Sequence, residues 1–237
     1  RLNHAAINPL FSFMHSMAHQ TDFASQYRFM DNAEAERLME ALRDKPVTDA
    51  DSVPRLFTTD RPNVIFIILE SFSSHLLPSL GGENVAPNLD AMSREGVTCT
   101  NFWGNSFRTD RGLVSTLSGH ISYPTTSIMK LPAKSRLLPG IARTLQQAGY
   151  QTDFLYGGDI NFTNMRSYFT TTGYQHLTSD TDFSLQERTS SSWGAHDEYT
   201  FDRLYEMLES RPADRLWHTG FLTLSSHEPF EVPYNRL

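Results

Sequence analysis

The rhythm of apolar and polar positions changes near residue 60. Before it, "INPLFSFMHSM" sets apolar residues at mixed helical spacing. "NAEAERLMEALRD" is a clearer amphipathic helix, with Asn32 as its cap. The polar stretch from Pro46 to Pro62 reads as a linker. Residues 1–60 are therefore expected to form a helical arm and linker. From Asn63 strands and helices alternate. "NVIFIILE" carries an unbroken apolar run, Val64 to Leu69, of the kind found in buried parallel strands. "APNLDAMSREG" is a short helix with proline near its start and Gly96 past its end. "VTCTNFW" reads as a second strand, "LLPGIARTLQQAG" as a helix closed by Gly149, and "YQTDFLYGG" as the next strand. "HDEYTFDRLYEMLES" is a further helix, and "LWHTGFLTLSS" the strand after it. This order predicts an α/β fold, a doubly wound and mostly parallel sheet flanked by helices, over residues 61–237.

Composition narrows the function classes. The 237 residues are 39% hydrophobic and 12% aromatic, enough for a substantial core. A net charge of -7 lacks the basic surplus of a general nucleic-acid binder, so no nucleic-acid partner is expected. The only cysteine, Cys99, excludes an internal disulfide and any cysteine-based metal cluster. No apolar run approaches the roughly 20 residues of a membrane helix. The sequence opens on Arg1, with no signal peptide, and reads as a section of something longer.

In open parallel sheets, ligands gather at the carboxyl ends of the strands. Three chemistry-bearing residues fall there. Glu70 ends the first apolar run, where a carboxylate must be solvated, paired or bound to a metal. Thr109, in "NSFRTDRG", lies between Arg108 and Arg111 at a helix start, a place that favours anions. His227 follows the last strand in "SSHEPF". Each has a plain alternative: a strand-end glutamate facing water, an N-cap threonine, a hydrogen-bonded loop histidine. His15 and His19 share an i, i+4 spacing, but no carboxylate stands beside them to complete a site. The chain contains no HExxH, Walker-type, GxGxxG or GxSxG motif.

Taken together, "NVIFIILESF", "APNLDAMSREGVTCTNFW", "FRTDRGL", "LLPGIARTLQQAGYQTDFLYGG" and "LTLSSHEPF" resemble, in order, the alkaline phosphatase and sulfatase superfamily. Within it they resemble the lipoteichoic acid synthase and phosphoglycerol transferase branch, over roughly residues 60 to 233. The resemblance implies that Glu70 is the acidic metal ligand after the first strand. It implies that Thr109 ligates the metal and becomes covalently phosphorylated, and that His227 contacts the substrate's phosphate. The Cys/Ser-x-Pro-x-Arg motif of true sulfatases is absent, which favours phosphoryl over sulfuryl transfer. Two departures stand out. The family's downstream Asp-His pair is missing, so the remaining ligands of a Mn²⁺ or Mg²⁺ ion are expected beyond residue 237 and the domain is expected to be C-terminally incomplete. In "YGGDINFTNMR", Tyr156 stands where the synthases have a histidine, Thr163 where they have a tryptophan, and Met165 where they have an arginine, with Arg166 one place on.

The expected activity is transfer of a phosphoglycerol or phosphoethanolamine group from a phospholipid to a glycan or glycerol acceptor. Thr109 is the catalytic residue, Glu70 and Thr109 hold metal, and His227, Arg166, Arg108 and Tyr156 bind substrate. The resemblance places such a domain outside the cytoplasmic membrane, anchored through missing N-terminal helices, and implies that this section alone is inactive. The alternatives are a metal-dependent phosphodiesterase or sulfatase-like hydrolase, and a non-catalytic module binding anionic glycans or lipid headgroups.

Overall fold

The computed structural model describes residues 8–19, 22, 25, 28–43 and 56–231. Two compact units divide the chain, Arg1–Thr58 and Thr59–Leu237. In the first, helix α1 (Pro9–Ala18) starts where the Asn8 side chain accepts the Leu10 and Phe11 amides at 3.0 and 3.1 Å. Helix α2 (Asn32–Arg43) forms as expected, but its cap is Asp31 rather than Asn32. The Asp31 carboxylate accepts the Glu34 amide at 3.0 Å, which leaves Asn32 inside the helix. Much of the expected linker, residues 46–55, lies outside the described residues, and residues 56–62 form neither helix nor strand.

The second unit is built on a sheet of four parallel strands, β1 (Val64–Ile68), β2 (Gln151–Tyr156), β3 (His176–Thr178) and β4 (Trp217–Leu222), in the order β1-β4-β2-β3. Between them run α3 (Pro87–Glu95), α4 (Thr109–Ser118), α5 (Pro132–Ser135), α6 (Ile141–Gln147), α7 (Met165–Thr172), α8 (Leu185–Arg188) and α9 (Asp197–Glu209). Successive strand residues point to opposite faces, and both faces are covered. Phe154 and Leu222 enter one cluster with Leu113, Val114 and Leu117 of α4, Ala142 of α6, and Tyr168 and Phe169 of α7. Leu155 and Phe221 enter the other, with Leu204 of α9 and Ala195 just before it. Helices on both faces of a parallel sheet are the doubly wound arrangement that the alternation predicts.

Two expectations are corrected. "VTCTNFW" forms no strand: Val97, Phe102 and Trp103 are exposed, and the polar side chains bond locally. The Thr98 hydroxyl donates to the Ser93 carbonyl at 2.6 Å, and Trp103 Nε1 to Asn101 Oδ1 at 2.6 Å. The run beginning at Val64 is a strand, but not a fully buried one. It lies at the end of the sheet order, and Ile65 and Ile67 remain 37% and 46% exposed.

Candidate active site

Three strand ends set the site. At the end of β4, Thr223 is tied to the end of β1: its amide donates to the Ile68 carbonyl at 3.0 Å, and its hydroxyl accepts the Glu70 amide at 2.9 Å. That pair fixes the backbone from which the Glu70 carboxylate projects. Ser71, next in the chain, has φ 52°, a left-handed backbone that a serine rarely adopts. Thr163 (φ 53°) and Phe230 (φ 61°) share this conformation and line the same cavity as Ser71. Unfavourable backbone of this kind concentrates where a site must be held in one shape.

Thr109 is the first residue of α4, after Arg108, whose backbone is extended. It is not an N-cap. Its hydroxyl donates instead to Glu70 Oε2 at 3.0 Å, across 39 residues of sequence. Helix α4 is placed by its buried face: Asp110, Leu113, Val114 and Leu117 recur at i, i+3, i+4 and i+7. The helix therefore delivers its positive N-terminal end, with Thr109 in its first turn, to the edge that carries Glu70.

Glu70, Arg108, Thr109, Tyr156 and His227 all line one cavity of about 420 Å³. Tyr156 ends β2, is 6% exposed, and its hydroxyl has no hydrogen-bond partner among the described residues. Burial first, and then the charges of Glu70, Asp159 and Asp180, push its pKa well above the ordinary phenol value. Tyr156 thus stays a neutral hydroxyl donor. His227 sits in a turn closed by its own amide donating to the Leu224 carbonyl at 2.9 Å. With Nδ1 donating to the Glu228 carbonyl at 2.8 Å, Nε2 is the ring nitrogen left for a ligand.

The structure does not bring Arg166 to this cavity. Its Nε donates to Asn161 Oδ1 at 2.9 Å, and it borders a separate hollow with Asn164 and Thr170. Arg111 also turns away, donating to the Pro124 carbonyl at 2.8 Å, while Asp110 faces Lys130 at 3.7 Å. Sequence reasoning passed over the aromatic lining, Phe107, Phe162, Trp193 and Phe230. Trp193 had a visible signal, a lone indole in the Ser-Gly loop "SSSWGAH" just before a helix.

Glu70 and Thr109 offer two hard oxygen donors 3.0 Å apart, the donor chemistry of Mg²⁺ or Mn²⁺. They fit part of such an ion's shell of about six ligands. No group of three His, Cys, Asp or Glu side chains suited to a metal exists among the described residues.

Comparison with known proteins gives this geometry a lineage. The Sulfatase family model matches residues 62–236. The lipoteichoic acid synthase-like protein YvgJ of Bacillus subtilis is 26% identical over 175 residues, which cover 72% of this chain and 28% of that protein. A Vibrio parahaemolyticus protein of the alkaline phosphatase superfamily superposes with a TM-score of 0.75 at 28% identity, over 89% of this chain and 53% of that one. The Listeria monocytogenes lipoteichoic acid synthase LtaP shares the fold, with a TM-score of 0.70 at 19% identity over 83% of this chain and 48% of that one. The chain thus spans under a third of YvgJ and about half of these two structures. The likeness to lipoteichoic acid synthases expected from the motifs is borne out, and the fold is that of the alkaline phosphatase superfamily. With all four strands, helices α3 to α9 and the candidate site inside the matched region, the chain belongs to the sulfatase family.

Proposed function

We propose that residues 61–237 belong to the catalytic domain of a membrane-anchored, extracytoplasmic transferase. It moves a phosphoglycerol or phosphoethanolamine group from a phospholipid to a glycan or glycerol hydroxyl. The observation that carries this reading is the Thr109 hydroxyl. It lies in a cavity at a helix N-terminus and is bonded to Glu70 rather than to its own helix. A hydroxyl freed from capping and aimed at a carboxylate is placed for nucleophilic work.

In the first step the Thr109 oxygen attacks phosphorus and forms a Thr109 O–P bond. The P–O bond to diacylglycerol breaks, and the threonine proton leaves with the diacylglycerol oxygen. In the second step an acceptor hydroxyl attacks the same phosphorus, the Thr109 O–P bond breaks, and the acceptor's proton returns to Thr109. Glu70 receives the threonine O–H in the resting state and orients the oxygen. Tyr156 and Arg108 supply donors to the phosphoryl oxygens, and His227 adds Nε2–H when protonated. A divalent cation held by Glu70 and Thr109 would lower the hydroxyl's pKa and offset phosphate charge. Helix α1 belongs to the first of the two units. Leu10, Phe11, Phe13 and Met14 of α1 are all exposed, which suits a position near lipid. No helix among the described residues is long and apolar enough to cross a membrane.

The test is turnover of a phospholipid donor by the whole natural protein with Mn²⁺, against Thr109→Ala. Loss of at least about 10³-fold in kcat is expected for a removed nucleophile. Turnover of Thr109→Ala at the parent rate would reject the reading.

A further inference from the structure

We propose that Asp197, acting with Ser225, positions His227 against Thr109; this rests on the transferase reading above, which gives His227 its phosphate. Asp197 is the first residue of α9, yet both its carboxylate oxygens reach another segment. Oδ1 accepts the Leu224 amide at 2.6 Å, and Oδ2 accepts the Ser225 amide at 3.0 Å. In return, the Ser225 hydroxyl accepts the Asp197 amide at 2.8 Å and lies 3.1 Å from Nδ1 of the buried His196. A carboxylate shared between two successive amides, at the positive end of a 13-residue helix, is a charge-assisted grip with a defined direction.

The gripped residues begin the turn that carries His227. His227 lies two residues past Ser225, and its amide closes the turn onto the Leu224 carbonyl. The outer side of that turn is held by the segment just before α9. Trp193 Nε1 donates to the Glu228 carbonyl at 2.8 Å, and the indole lies 4.3 Å from the His227 ring. Ser192 donates through its amide and hydroxyl to the Glu231 carboxylate at 2.5 and 2.7 Å. This segment is seated on the end of β2, where the Ala195 amide donates to the Gly157 carbonyl at 2.9 Å. Gly194 beside it has φ 141°, and an added Cβ would collide with the Gly157 carbonyl. The ring of His227 is therefore referenced to the sheet through Asp197 from below and Trp193 from the side. Asp197 is not among the residues lining the cavity, so it acts through His227 and is a positioning residue.

The experiment is a double-mutant cycle on the whole natural protein with Mn²⁺, with a fluorophore-labelled phospholipid in micelles as substrate. Asp197→Asn keeps size but loses one acceptor, and is expected to lower kcat about 100-fold with KM changed less than about threefold. His227→Ala is expected to lose a comparable factor, and the double variant no more than about threefold beyond His227→Ala alone. Ser225→Ala, the gentler change, is expected to lose about tenfold and to lose nothing further in the His227→Ala background, and it carries the cycle if Asp197→Asn fails to fold. Multiplying losses would overturn the positioning role while leaving the transferase reading intact. A His227→Ala protein as fast as the parent would overturn the positioning role, while the transferase reading falls only if Thr109→Ala also keeps the parent rate.

Discussion

The sheet has two differently built sides. In β2 and β4 every residue but the first is buried; Phe154 and Phe221 are fully enclosed, and Phe154 stacks on Phe169 with ring centroids 3.8 Å apart. In β1, one hydrogen-bonded neighbour away, burial alternates and Ile65 and Ile67 reach solvent. The chemistry divides the same way: β1 leads to Glu70, which Thr109 joins, while β2 and β4 lead to Tyr156 and His227. A closely packed interior thus presents Tyr156 and His227 to the cavity, where Thr109, the proposed nucleophile, is bonded to Glu70 at the end of the lighter strand. The difference shows that strand order, more than strand composition, decides how much a given apolar residue stabilises.

The largest effect should come from breaking the enclosed side. Phe154→Ala is expected to destabilise the protein by about 3–5 kcal/mol, read as a lowered denaturant midpoint, because Phe169 stacked on it and Tyr174 edge-on to it cannot collapse into the void. Next is a pH effect at the seam of β1 and β4. His218 is fully buried, its Nδ1 3.2 Å from the Val64 carbonyl and its Nε2 3.1 Å from the Tyr174 hydroxyl. Burial, the largest cause, holds its pKa below the ordinary imidazole value, so the folded state keeps it neutral and the unfolded chain takes up the proton. Its contribution to stability is present above about pH 6.5 and is lost as pH falls, at no more than about 1.4 kcal/mol per pH unit. His218→Gln should flatten that slope between pH 7 and 5 in equilibrium unfolding.

A smaller effect is expected where the two sides meet. Tyr156→Phe removes one donor from the cavity and should lower kcat/KM about tenfold, with stability changed by less than about 1 kcal/mol, since the hydroxyl bonds to no described residue. The smallest belongs to the open side: Ile67→Ala should cost under about 1 kcal/mol, measured as for Phe154→Ala. If Ile67→Ala costs as much as Phe154→Ala, the contrast between the sides is wrong.

Much of this was legible in the sequence because burial repeats with the period of each element. The strands at Val64, Gln151 and Trp217 begin within one residue of "NVIFIILE", "YQTDFLYGG" and "LWHTGFLTLSS", and α9 begins within one residue of "HDEYTF". Glu70 and His227 converge because parallel strands share an end, whereas Thr109 is brought to them by the start of α4, with no strand directly before it among the described residues. Helix α7 was overlooked because "MRSYFTTT" is rich in threonine, a poor helix former, yet Met165, Tyr168, Phe169 and Thr172 hold the spacing i, i+3, i+4, i+7 and are buried. The strand β3, three residues long, is too short to show a period. "VTCTNFW" shows the reverse error: its composition suits a strand, but no neighbouring strand pairs with it among the described residues. The grip of Asp197 on residues 224 and 225 had no sequence signal, since it joins a helix start to a turn 27 and 28 residues away.

The most direct measurement of the central claim is the intact mass of the whole natural protein after exposure to a phospholipid donor with Mn²⁺ and no acceptor. The account predicts a single added phosphoryl-headgroup mass that peptide fragmentation places on Thr109, matched by one released diacylglycerol and absent from Thr109→Ala. Stoichiometric release of diacylglycerol with no adduct, or with the adduct on another residue, would contradict it.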